Sequence, residues 1–131
     1  MLRTFLRRLA RRAPLSCQGE RVAARFFKYH GYRILAQNLR NRFGEIDLVA
    51  EAPDGDTVVV VEVKSGRGGP IPPEVRVNYT KQRRLAALAA QLARRYRLQS
   101  HPLRFDVIGV DLPAHGKPSV RHHVGAVESP V

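Results

Sequence analysis

The chain is poor in cysteine, in lysine and in acidic residues, and each shortage excludes something. A single cysteine, Cys17, cannot form an internal disulfide and fits a reducing compartment, so a cytoplasmic location is expected. No window approaches the roughly 20 apolar residues of a membrane span, so no membrane partner is expected. Zinc-finger spacing, a Gly-rich phosphate loop and a Ser-His-Asp arrangement are all missing. The adjacent His122 and His123 do not suggest zinc, because neighbouring strand residues point to opposite faces and no Cys/His cluster supports them. No internal repeat marks a second domain. At 131 residues and 44% hydrophobic content, the chain suits one domain with a real core.

Eleven acids stand against 23 Lys and Arg, giving a net charge of +12 and a pI near 11.2. A polyanion is the obvious partner, and nucleic acid comes first. Arginine dominates, which codon bias explains as readily as a binding surface does. The distribution adds more. Residues 1–43 carry one acid, Glu20, among eleven bases, whereas residues 44–75 carry seven acids and two bases. Residues 76–131 return to ten bases and three acids. An acidic patch framed by basic segments suits a metal centre that also holds phosphates.

Periodicity gives the order α-β-β-β-α-β. A basic extension over residues 1–17 precedes a domain over 18–131. Leu2, Phe5, Leu6 and Leu9 of that extension have helical spacing, and Pro14 ends the pattern. It reads as a basic arm or an upstream start, with an Arg-rich transit peptide as the other reading. Residues 18–30 form a helix with Val22, Ala23, Phe26 and Phe27 on one face and Gly31 as its cap. Tyr32 to Ala36 make a first strand, and Asn38 to Phe43 a polar turn. Residues 44–51 and 57–64 are strands joined at Pro53-Asp54-Gly55-Asp56. The valines of the latter strand imply burial on both faces and a central place in the sheet. Ser65 to Pro73 is a loop, and Thr80 to Leu98 is a helix with Leu85, Leu88, Leu92 and Tyr96 inward. Residues 103–110 form a further strand, and Val120 to Val124 add an edge strand. Asp106, away from the acidic strands, serves structure.

Folding the chain at Asp54-Gly55 brings acids together. Asp47 then faces Glu62, and Glu45 faces Lys64. Directly opposed residues share one side of a sheet with Cα atoms about 4.5–5.5 Å apart. Two carboxylates so placed repel each other, and a divalent cation turns the repulsion into binding, since Mg2+ and Mn2+ prefer oxygen ligands. A lysine beside such a site is the chemistry of phosphodiester hydrolysis. The competing reading is a hairpin with charges on a solvated face.

Asp on the second strand and Glu-x-Lys on the third, in this element order, resemble the core of the PD-(D/E)XK nuclease superfamily. More closely, the chain resembles the YraN family, small bacterial proteins related to Holliday junction resolvases. The resemblance runs from about Gly19 to Val127. It rests on Gly19-Glu20, Gly31-Tyr32-Arg33-Ile34-Leu35, Asn38-Leu39-Arg40, Gly44-Glu45-Ile46-Asp47-Leu48-Val49-Ala50, Val61-Glu62-Val63-Lys64, Lys81 with Arg84-Leu85, and Arg104-Phe105-Asp106-Val107-Ile108. The ordered set at these spacings is specific, although Glu-x-Lys alone is not. Ser65-Gly66-Arg67 departs from the family habit of placing Arg directly after Thr or Ser.

The resemblance implies a restriction-endonuclease-like αβββαβ fold, α/β in class, with a mixed central sheet flanked by helices. It further implies a Mg2+- or Mn2+-dependent endonuclease acting on DNA, branched or damaged DNA included. Asp47 and Glu62 would be metal ligands, with the backbone carbonyl of Val63 as a third. Lys64 would orient the attacking water or neutralise the phosphorane, with a salt bridge to Glu45 as the plainer reading. Glu45 is then a supporting partner of the site. Glu20 would reach the metal from the first helix, or simply favour that helix's dipole. Lys81 and Arg84 lie one helical turn apart and could grip phosphate, as could Arg40 and Arg42. Two sites acting on a branched substrate would imply a homodimer. The rival reading is a non-catalytic nucleic-acid-binding protein that keeps the nuclease fold.

Overall fold

Helix α1 (Gln18–Tyr29) forms where Ala23, Ala24 and Phe27 fall on one side and Arg21, Arg25 and Lys28 on the other. Its end is a Schellman turn. The Tyr32 N–H donates to the Phe27 carbonyl (2.9 Å) and the Gly31 N–H to that of Lys28 (3.2 Å), while Gly31 takes φ 85°. The Phe27 and Tyr32 rings, 4.8 Å apart, supply the apolar contact that accompanies this cap. In this computed structural model the described residues are 18–41, 44–76, 84, 87–88, 90–91, 94 and 101–125. The basic extension with Cys17, together with Arg42 and Lys81, lies outside them.

Five strands follow in the order β1-β2-β3-β4-β5: β1 (Arg33–Asn41), β2 (Gly44–Glu51), β3 (Val58–Gly66), β4 (Leu103–Asp111) and β5 (Ser119–His123). β3 and β4 are parallel and every other neighbouring pair is antiparallel, so the sheet is mixed. The fold is α/β, in agreement with a restriction-endonuclease-like core. A parallel step needs a long crossover. Here it carries a 3-10 turn at Pro73–Arg76 and helical residues at Arg84, Ala87, Leu88, Ala90, Gln91 and Arg94. No described helix is long and apolar enough to cross a membrane.

The valine-rich β3 is central, as its composition requires. Val59 and Val61 pack with Leu48, Ala50, Ile108 and Val110 beneath Ala23, Ala24 and Phe27 of α1. Each large side chain buried there contributes roughly 1.5–3 kcal/mol. By alternation, Asp47, Glu62 and Lys64 belong to the opposite face.

The first strand corrects the expectation. Asn38 to Phe43 is not all turn, because β1 continues to Asn41 and pairs it with Gly44. Leu39, flanked by polar residues, is nevertheless buried opposite Ile46. A bulge between Ile34 and Ala36 lets Leu35 and Ala36 both be buried, and Asn38 absorbs a left-handed φ of 52°. The turn at Asp54 is as expected. Its carboxylate accepts the N–H groups of Asp56 (2.8 Å) and Thr57 (2.9 Å) and the Thr57 hydroxyl (2.6 Å).

Candidate functional site

The β2–β3 ladder has the register that places Asp47 opposite Glu62. It pairs Glu51 with Val58, Ala50 with Val59, Val49 with Val60 and Leu48 with Val61, and then stops. The ladder therefore opens one step before the two acids. Where a backbone acceptor would otherwise stand, the Asp47 carboxylate accepts the Val63 N–H at 2.8 Å. β3 is held on its other side by β4, with Val63 matched to Ile108 and Lys64 to Gly109. The result is a fork with a rigid wall on the β3 side.

Asp47 is 7% exposed. Burial pushes its carboxyl up to about 7, and the Glu62 charge adds to the push. Glu20 and Glu45 raise it further, and only the Val63 N–H works the other way. Asp47 is thus a carboxyl in an uncompensated negative potential. Glu20, in the first turn of α1, has a buried Oε2 with no hydrogen-bond partner among the described residues. An orphaned buried oxygen of that kind is costly and calls for an explanation.

The plainer reading of Lys64, a salt bridge to Glu45, is corrected. Lys64 does not pair with Glu45; its Nζ lies 3.2 Å from Glu62 Oε1, two residues away on the same strand face. Glu45 instead meets Arg40 at 3.1 Å, both largely exposed. The long β1 puts Arg40 directly opposite Glu45, whereas β2 and β3 no longer pair at that level. Arg40 is accordingly a surface ion-pair partner in this structure. Arg84 is helical and exposed.

The oxygen donors of Asp47, Glu62, Glu20 and the Val63 carbonyl suit a hard cation, and Asp47's raised carboxyl and the orphaned Glu20 oxygen fit one. Among the described residues, however, no three His, Cys, Asp or Glu side chains form a ready-made cage. Glu62 is turned to Lys64 and Asp47 to Val63. The fork therefore offers an electronegative pocket with few fixed donors, the style of Mg2+, which keeps several waters.

Asp106 has the opposite character. It is fully buried, yet hydrogen bonds outweigh burial and hold its carboxyl below the usual range. They come from His122 (2.7 Å), Arg104 (2.9 and 2.8 Å) and the Gly125 N–H (2.9 Å). His123 turns the other way, to Glu74 at 2.9 Å, so the two histidines do occupy opposite faces.

Sequence reasoning missed a second network. Arg121 binds Glu74 (2.7 and 3.0 Å) and Asp111 (2.8 and 2.9 Å), and it lies across from Gly109, itself across from Lys64. Glu74 passes directly over Gly109, where a Cβ would collide with its carboxylate. A glycine inside a strand was the one available signal of such an approach.

The model of the family described as Uncharacterised protein family UPF0102 matches residues 19–110. A UPF0102 protein of Syntrophus aciditrophicus is 46% identical over 99 residues, covering 75% of this chain and 76% of that protein. One from Symbiobacterium thermophilum is 46% identical over 100 residues, covering 76% and 83%. One from Nocardia farcinica is 37% identical over 120 residues, covering 91% and 93%. The chain belongs to the UPF0102 family, which is the YraN family that its motifs resemble.

Proposed function

We propose that this protein is a Mg2+- or Mn2+-dependent endonuclease acting on DNA, with its site in the β2–β3 fork. One observation carries the reading. The ladder opens where Asp47 and Glu62 face each other, with Lys64 against Glu62 and the Glu20 charge, at the start of α1, acting on Asp47. Asp47 and Glu62 hold the metal, the Val63 carbonyl is a third protein donor, and Glu20 joins directly or through water. When bound, the cation supplies Lewis acidity to the phosphodiester and acidifies the attacking water. Lys64, a compact ammonium in an arginine-rich chain, orients that water or neutralises the charge growing on the phosphoryl oxygens. The positive net charge draws the polyanion in. Lys81, Arg84, Arg40 and Arg42 are the cations that grip backbone phosphates in this reading.

The test is cleavage of linear, single-stranded, flapped and four-way-junction DNA in Mg2+, Mn2+ or EDTA, with Glu62→Ala beside the wild type. Metal-dependent cutting that vanishes in Glu62→Ala is the expected result. A specific observation favours a second reading, a nucleic-acid-binding protein that does not cut. The Glu62–Lys64 pair satisfies both charges without a metal, and no three-donor cage exists among the described residues. DNA binding without cutting under every condition would select that reading.

A further inference from the structure

β3 runs two residues past Lys64, and the chain leaves the sheet after Gly66; the stretch from Ser65 to Pro73 bounds a cavity of about 220 Å3. The loop is anchored at both ends. The Leu112 N–H donates to the Gly66 carbonyl at 2.7 Å, and the Val75 N–H to that of Pro72 at 3.2 Å. Just beyond it, Glu74 is locked by Arg121 and His123, and its carboxyl is held down at about 2 chiefly by the Arg121 hydrogen bonds. A Cβ on Gly66 would already lie 3.4 Å from Pro73, so the two ends of the loop are in close packing. Its tip is different. Ile71 is 72% exposed, and the exposed Arg67 makes no ion pair with any described residue.

We infer that this loop is a subsite for one unpaired nucleotide of a DNA strand, Ile71 and Pro72 meeting the base and Arg67 the phosphate. The inference rests on the proposed nuclease site for its setting beside Lys64. An apolar side chain and a guanidinium with no ion pair among the described residues, on one small cavity, match the two halves of a nucleotide, an apolar ring and an anionic phosphate. The cavity is below the ~300 Å3 at which pockets for drug-sized ligands begin, so it takes one such unit. Bases inside an intact duplex are stacked and out of reach, whereas proteins that engage distorted duplex insert apolar wedges, isoleucine among them. The anchored ends limit how much of the loop must be ordered when DNA arrives, which lowers the cost of binding.

The experiment is fluorescence anisotropy with the full chain in EDTA. It compares a duplex bearing one bulged nucleotide with the same duplex fully paired. Wild type should bind the bulged duplex about tenfold more tightly. Ile71→Ala should bring that ratio close to one while leaving affinity for the paired duplex within about twofold, and Arg67→Ala should act in the same direction. Equal wild-type affinity for both duplexes, or a loss in Ile71→Ala shared equally by both, would overturn the subsite. Cleavage of the same duplexes in Mn2+ is read separately. Discrimination without cleavage keeps the subsite and removes the nuclease reading; cleavage without discrimination does the reverse.

Discussion

Asp47 and Asp106 are both buried aspartates on neighbouring parts of one sheet, and their surroundings are opposite. Asp106 is the more buried, yet it stays ionised because Arg104, His122 and the Gly125 N–H all serve the charged form. Asp47 keeps a sliver of exposure, yet its carboxyl rises to about 7 because burial and the Glu62 charge combine against one backbone N–H. Burial alone therefore says little about a carboxylate; the count of positive and negative neighbours decides. A buried acid that is fully answered holds a fold together. One left unanswered costs stability that the fold tolerates, and such sites are where function concentrates.

Removing each acid should break the contrast in a different way. Asp106→Ala should cost roughly 3–5 kcal/mol, because it strips Arg104 and His122 of a buried partner. Denaturant midpoints would measure this, and a loss under 1 kcal/mol would show that the network is not structural. Asp47→Ala should leave folding and DNA affinity nearly intact while lowering cleavage by about a hundredfold or more, the scale of losing a charge-stabilising group. Undiminished cleavage would remove Asp47 from the site.

The third prediction sharpens the comparison through pH. The folded carboxyl of Asp47 titrates near 7 against an ordinary 3.8, so the native state keeps a proton that the unfolded chain has lost. Stability must then fall as pH rises between those values, with no contribution below about 4 and a constant penalty above about 7. Asp47→Asn should gain on the order of 2–4 kcal/mol over wild type at pH 8 and nothing at pH 4. Saturating Mn2+ should narrow the gap at pH 8. Melting curves at the two pH values, with and without Mn2+, would expose a flat difference.

Smaller effects should follow at the surface. Lys81→Ala with Arg84→Ala should weaken DNA binding uniformly and reduce the salt slope by about two. An unchanged slope would take that helix out of the interface. Glu45→Gln should shift stability by under about 1 kcal/mol, because its pair with Arg40 is exposed on both sides.

Much of this was legible in local pattern. The valines of β3 announced a central strand, and Gly31 announced the end of α1. Asp54-Gly55 located the turn, and with it the register that sets Asp47 against Glu62. The extent of β1 was not legible, because an edge strand with a bulge tolerates polar residues and only Leu39 marks the continuation. Nor were the partners of the charges. Lys64 stands opposite Glu45 in register and two residues from Glu62 on one strand face, and only the open ladder decides for Glu62.

Composition and period thus determined the element order, the β2–β3 register and the identity of the acids, because these depend on residues close in the chain. Tertiary structure decided which charges are answered. His122 reaches Asp106 from β5, Arg121 reaches Glu74 across 47 residues, and Glu20 carries its charge towards Asp47 from another element. A carboxylate's state is the sum of fields from everything packed around it, and that packing exists only once the chain has folded.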